Sequence, residues 1–238
     1  MKRKSRKPAA TAKPTPAPAP AADRLKTWHL VAAVGGGFVL FVVVMWLVLA
    51  PKSAPARSEA ELAALQRPHA ASFGDAGAKV TIVEFMDPAC DTCREFYPLV
   101  KGIMSDNPGR IRLSIRLVAF HPGSDVPVKA LEAAKAQGKF EMVLDRLFAT
   151  QPNWVVQHRA DAQAAMEQLR TLDLDFARLQ ADMESPEVLR NVALDAQDAK
   201  TLKVVQTPEY FVNGRGLPEF GYEPLRSLVR NEVAAAYR

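Results

Sequence analysis

The chain has 238 residues and a net charge of +5, from 31 Lys or Arg against 26 Asp or Glu. The excess sits at one end: residues 1–27 hold eight basic residues against the single acid Asp23, a net +7 that leaves −2 for the remainder. A nucleic-acid-binding reading needs a basic face on the folded domain and loses its support.

Pro8 to Ala22 is an Ala/Pro run, so residues 1–27 are expected to stay extended and disordered. His29 to Ala50 runs 22 residues without Asp, Glu, Lys or Arg, enough to cross a hydrocarbon core of about 30 Å. Trp28 and Trp46 stand near its ends, as interfacial aromatics do. A cleaved signal peptide has a shorter apolar core of ~7–15 residues, so residues 28–50 are expected as a retained transmembrane helix. The positive-inside rule puts the +7 flank in the cytoplasm and everything after Ala50 outside. Residues 51–67 read as a linker ending in a short helix, with Ser58 and Glu61 as a capping box before Leu62 and Leu65.

Residues 68–238 are long enough for one domain with a substantial core. Val80-Thr81-Ile82-Val83-Glu84-Phe85-Met86 is a buried-strand pattern broken by one carboxylate. A helix from about 90 to 106 follows, with Phe96, Leu99, Val100 and Ile103 at helical spacing, then a strand over Ile111 to Phe120. A helical block, about 124–203, shows one apolar face through Phe140, Val143, Leu144, Leu147 and Phe148 and another through Val188, Leu189, Val192 and Leu202. Strand character returns at Glu209 to Val212. Asn213-Gly214 signals a hairpin, Leu217 to Tyr222 a return strand, and a closing helix starts at Glu223. The order is βαβ, a helical block, then ββα.

The only two cysteines stand as Cys90-Asp91-Thr92-Cys93, where strand hands over to helix. Unpaired N–H groups and the macrodipole at a helix start favour an anion, and the thiolate is the reactive form of cysteine. The placement reads as a redox dithiol, with Cys90 as exposed nucleophile and Cys93, one turn in on the buried side, as the resolving thiol. A structural disulfide over two residues would constrain the unfolded chain little. A zinc site needs four ligands, and His29, His69, His121 and His158 show no ligand-like spacing. Neither a metal nor another cofactor is expected. Glu84, mid-strand among apolar residues, is costly as a carboxylate and suited to relaying the Cys93 proton; an outward orientation or a basic partner is the competing reading. His121 precedes Pro122-Gly123 and reads as a surface-loop histidine, while His69 and His158 suggest no role.

From about Phe73 to Arg238 the chain resembles the DsbA-type branch of the thioredoxin superfamily. The resemblance rests on Val83-Glu84-Phe85 six residues before the first cysteine, the CxxC itself, and Pro98 in the next helix. It also rests on Thr207-Pro208 before Tyr210-Phe211-Val212-Asn213-Gly214, and on His121-Pro122 followed by Ala-rich helices and Gly138-Lys139-Phe140. It implies an α/β thioredoxin fold interrupted by a helical insertion, here preceded by one transmembrane helix. It further implies thiol:disulfide oxidoreductase activity and a cis Thr207–Pro208 bond that lays the Thr207 backbone alongside the cysteines for an extended client. The implied partners are exported cysteine-containing proteins and a membrane redox partner of DsbB or DsbD type.

The departure is Asp91-Thr92, where the strong oxidants of this branch carry Pro-His. Asp91 sets a negative charge beside the Cys90 thiolate; at ~6 Å and an effective dielectric between ~20 and ~80 the repulsion is roughly 1–3 kcal/mol. A potential between those of DsbA, about −120 mV, and thioredoxin, about −270 mV, follows, nearer the latter. That leans towards a reductase or isomerase and leaves the oxidase open. The competing classes are a redox-inactive adaptor or chaperone and a copper or zinc carrier on the same fold.

Overall fold

The computed structural model describes residues 41, 44–46 and 57–238. The chain divides into two units, Met1–Pro55 and Ala56–Arg238. The basic tail, most of the expected membrane span and the start of the linker lie outside the described residues. Of the first unit, Phe41, Val44, Met45 and Trp46 are described; they are helical and exposed. Among the described residues no helix is long and apolar enough to cross a membrane.

The second unit opens with α1 (Glu59–Leu65), started by the reciprocal pair expected at Ser58 and Glu61. The Ser58 hydroxyl accepts from Glu61 N–H at 3.2 Å, and the Glu61 carboxylate accepts from Ser58 N–H at 2.9 Å. Five strands follow in one sheet: β1 (Ala71–Gly74), β2 (Val80–Met86), β3 (Ile111–Leu117), β6 (Glu209–Val212) and β7 (Arg215–Gly216), in spatial order β1-β3-β2-β6-β7. Helix α2 (Asp91–Ser105) makes the crossover between the parallel strands β2 and β3, and α8 (Tyr222–Ala236) closes the chain. Strands β1 and β6 run antiparallel to their neighbours.

Between β3 and β6 lie α3 (Asp125–Ala134), α4 (Phe140–Ala149), the short hairpin β4 (Val155–Val156) and β5 (Arg159–Ala160), then α5 (Ala162–Leu169), α6 (Phe176–Asp182) and α7 (Pro186–Thr201). The expected face of α4 is buried through all five of its residues. On α7 Val188 is buried but Leu189, expected beside it, is exposed.

Strand β2 is apolar on both faces because both are covered. Its even-numbered residues join the main core with α2, α8 and the helical block, through Val80, Ile82, Met86, Val100, Leu131 and Leu225. Its odd-numbered Val83 and Phe85 pack with Ala64, Leu65, Ala199, Leu202 and Phe211 on the other side. By the same alternation Glu84 points into the main core.

Two strand expectations are corrected. Strand β3 stops at Leu117 rather than Phe120, because the N–H groups of Phe120 and His121 turn inward to the Asp87 carboxylate. The return strand is Arg215–Gly216, not Leu217 to Tyr222: Pro218 has no N–H to donate, and Tyr222 already opens α8. Two elements were not anticipated, the four-residue edge strand β1 and the β4–β5 hairpin. That hairpin turns through Gln157 and His158 at φ +50° and +58°, a primed turn without its usual Asn-Gly signature.

Candidate active site

Cys90 is the N-cap of α2, in extended conformation with φ −79° and ψ 120°, and its Sγ accepts the Cys93 N–H at 3.3 Å. The thiol thus takes the place that a Ser or Asp oxygen usually fills at a helix start. The Thr207–Pro208 peptide bond is cis, and the Thr207 carbonyl oxygen lies 3.1 Å from Cys90 Sγ. Cys90 ionises at about 6, well below the ordinary thiol. The main cause is the hydrogen bond from the Cys93 thiol; burial opposes it, and the Thr207 side chain, the Cys93 N–H and the His121 charge add to it. It is therefore largely thiolate at pH 7. The expectation of an exposed Cys90 is corrected: the residue is only 4% exposed against 0% for Cys93, and both are free thiols. Neighbouring loops cover it, among them the Thr207–Pro208 turn and Gln151, whose amide donates to the Pro88 and Cys90 carbonyls at 2.9 and 3.1 Å.

Cys93 lies on the buried side of α2. Burial pushes its pKa well above the ordinary value, and the Cys90 and Glu84 charges push the same way. Glu84 is fully buried and sits between Ile115 and Tyr210 in the sheet register. The Tyr210 hydroxyl donates to Glu84 Oε1 at 3.0 Å, while Oε2 has no hydrogen-bond partner among the described residues. Burial raises the Glu84 pKa to about 8; the Tyr210 bond opposes that and the Cys90 charge adds to it. Glu84 is thus a protonated acid at neutral pH, with no basic partner among the described residues and no outward orientation. Phe96 of α2 stacks on Tyr210 with ring centroids 6.0 Å apart. Pro98 is exposed within α2.

The sequence reading missed Asp87. Its carboxylate is buried, accepting from Ala89 N–H through Oδ1 at 2.9 Å, and from Phe120 N–H, His121 N–H and the Ser124 hydroxyl through Oδ2 at 2.7–2.8 Å. The Asp87 carbonyl accepts the Cys90 N–H at 3.0 Å. Asp87-Pro88, a turn-forming pair just before the motif, was the available signal. His121 is corrected from surface-loop residue to site residue: its Nδ1–H donates to Asp87 Oδ2 at 2.9 Å, a bond that raises the imidazole pKa. His158, read as carrying no role, sits 6.2 Å ring to ring from His121, with Nδ1 3.8 Å from Asp91 Oδ2. Asp91 is the first residue of α2, its side chain 47% exposed, and Thr92 beside it is partly buried. His69 is remote in role: its Nε2 meets Asp195 Oδ1 at 2.7 Å, in the ion cluster beneath α7.

A family model described as thioredoxin matches residues 66–231. A protein of Bacillus cereus described as probable disulfide bond formation protein D is 27% identical, over 68% of this chain and 78% of its own length. A Salinispora tropica protein named Na(+)/H(+) antiporter NhaA 3 is 32% identical over 91% of this chain, which spans only 34% of that relative. Among solved structures, a thioredoxin-like oxidoreductase from Silicibacter pomeroyi is similar with a TM-score of 0.62 and 29% identity, covering 76% of this chain and 98% of that one. With a dithiol on the helix start and an insertion of five helices between β3 and β6 beside that family match, the chain belongs to the thioredoxin family.

Proposed function

We propose that this protein is a membrane-anchored, extracytoplasmic oxidoreductase that exchanges disulfides with exported proteins through Cys90 and Cys93. The observation that carries the exchange is the asymmetry of the pair: Cys90 caps α2 and ionises at about 6, whereas Cys93 is buried and its pKa is pushed well up. The Cys90 thiolate attacks one sulfur of a client disulfide, forming the Cys90–client bond and expelling the other client sulfur as a thiolate. Cys93 then loses its proton and attacks Cys90 Sγ, giving the Cys90–Cys93 disulfide and a client reduced by two electrons. Once Cys90 is in the mixed disulfide its negative charge is gone. That removes one of the causes holding Glu84 protonated, so Glu84 becomes a better acceptor for the Cys93 proton at the moment one is needed. Oxidation of a client is the same path reversed.

Exposed apolar side chains stand near site residues in the chain: Phe120 before His121, Val156 at the end of β4 before His158, and Val205 before Thr207. Such side chains suit unfolded, cysteine-bearing segments. A reductase or isomerase direction is favoured over an oxidase. A Cys90 that ionises at about 6 lies nearer the ~7 of thioredoxin than the ~3.5 of DsbA, and a less stabilised thiolate makes a weaker oxidant. The redox partner would be a membrane protein of DsbB or DsbD type. Sodium–proton exchange belongs to the much longer relatives and is not proposed for this chain.

The +7 flank before an uncharged 22-residue span supports the anchor. A reporter active only after export, fused after Arg238, should be active; activity of a cytoplasmic reporter there would refute the topology. Cys93→Ser should accumulate mixed disulfides with clients through Cys90, and Cys90→Ser should abolish exchange. Trapped complexes with Cys90→Ser instead would invert the assignment, and none with either variant would favour an adaptor or a metal carrier.

A further inference from the structure

The dipeptide between the cysteines contains no cation and one anion, yet two imidazoles converge on the same helix end from elsewhere in the chain. His121 comes from the loop after β3 and His158 from the tip of the β4–β5 hairpin. His121 is firmly placed. Asp87, buried and three residues before Cys90, takes five hydrogen bonds, four of them to the 120–124 loop and its imidazole. The same residue's carbonyl receives the Cys90 N–H. One residue therefore holds both, the His121 ring through its carboxylate and the Cys90 backbone through its carbonyl. The hairpin is anchored as well: Ala160 N–H donates to the Pro122 carbonyl at 2.9 Å, and Gly123 Cα abuts Ala160 so closely that an added Cβ would meet its carbonyl oxygen at 2.2 Å. His158 is thereby carried over His121 and beside Asp91.

We propose that His121 is a positioning residue that holds a cationic imidazole, clamped by Asp87, beside the Cys90 thiolate. The charge that the motif lacks is supplied across the fold. The groups facing His121 are Asp87, Cys90, Asp91 and His158, three of them anions or anion-forming, so the surroundings favour the imidazolium. The arrangement is directional, because the Nδ1–H is committed to Asp87 and only Nε2–H is left to face the site.

The proposal rests on Cys90 being the attacking thiol, and the test separates the two claims. Ultraviolet thiolate absorbance of the reduced protein, followed against pH, reads Cys90 alone below pH 9, since Cys93 stays protonated there. A wild-type midpoint near 6 is the premise; a wild-type midpoint at the ordinary thiol value would sink the functional reading itself. His121→Gln keeps a donor for Asp87 and loses the charge, and its midpoint should rise by about 0.5–1 pH unit, a three- to tenfold loss of thiolate near that pH. Folded His121→Gln with the wild-type midpoint would overturn the proposal. If His121→Gln fails to fold, His121→Lys is the second variant: an unclamped cation should give a midpoint at or below wild type, and a rise there would overturn the charge argument.

Discussion

Two buried charge clusters lie on opposite faces of the same sheet and are built to opposite rules. On the face under α1 and α7, Arg116 is fully buried and completely partnered: Nε to Asp195 Oδ1 at 2.7 Å, Nη2 to Asp198 Oδ2 at 2.5 Å and Nη1 to the Ala64 carbonyl at 2.6 Å. Arg67 adds a two-pronged contact to Asp198, and Asp195 also receives the Leu117 N–H. On the other face Glu84 has one hydrogen bond and one bare oxygen. The first cluster is satisfied and therefore rigid; the second is left short of partners, and its acid keeps a movable proton beside the dithiol. A buried ion with full partners marks architecture, and a buried acid without them marks chemistry.

The largest effect expected from this contrast is Arg116→Met. It leaves Asp195 and Asp198 with too few partners and should cost on the order of 3–5 kcal/mol in chemical unfolding, while the folded fraction keeps its exchange rate per molecule. Loss of exchange without loss of stability would place Arg116 in the chemistry and erase the distinction.

Glu84→Gln should behave in the opposite way. The folded-state pKa of Glu84, about 8, lies above its unfolded value of 4.5, so wild-type stability falls as pH rises from about 4.5 to about 8. The variant lacks this drain, and its stability relative to wild type should climb across that window by on the order of 4 kcal/mol, with slower resolution of mixed disulfides. A flat difference with pH would show that Glu84 ionises normally.

The acid side of the first cluster supplies a smaller pH effect. Burial pushes Asp198 up, but hydrogen bonds and charge from Arg67 and Arg116 outweigh it and hold the carboxyl below its ordinary value. The stability it contributes is complete above pH ~4 and is lost as pH falls below that, so Asp198→Asn should flatten the acid limb of the stability curve. The smallest effect is that of Tyr210→Phe, about 1 kcal/mol for one hydrogen bond; because that bond favours the carboxylate, the Glu84 pKa should move up. A downward shift would mean the hydroxyl does not donate to Glu84.

The same contrast marks what was legible in the sequence. Strand β2, helix α2, strand β6 and the closing helix were readable because each carries its own periodicity. Glu84 was readable because a carboxylate in a β-branched run breaks a local pattern. Arg116 breaks the pattern of β3 in the same way and went unremarked. Its partners are some 80 residues away on α7, and no spacing rule connects them. His121 and His158 were assigned no site role for the related reason that their position depends on Asp87 and on a Gln157-His158 turn that carries no turn signature. Cys90 was expected to be exposed because a helix start is exposed in isolation; the loops that cover it come from residues 151 and 207.

The account stands most directly on the difference between the two thiols. Alkylation of the reduced protein over a pH series, with modification at each cysteine quantified by peptide mass, measures it in one experiment. Cys90 should reach half of its limiting rate near pH 6, and Cys93 should remain protected through pH 9. Equal reactivity of the two cysteines, or a Cys90 midpoint at the ordinary thiol value, would contradict it.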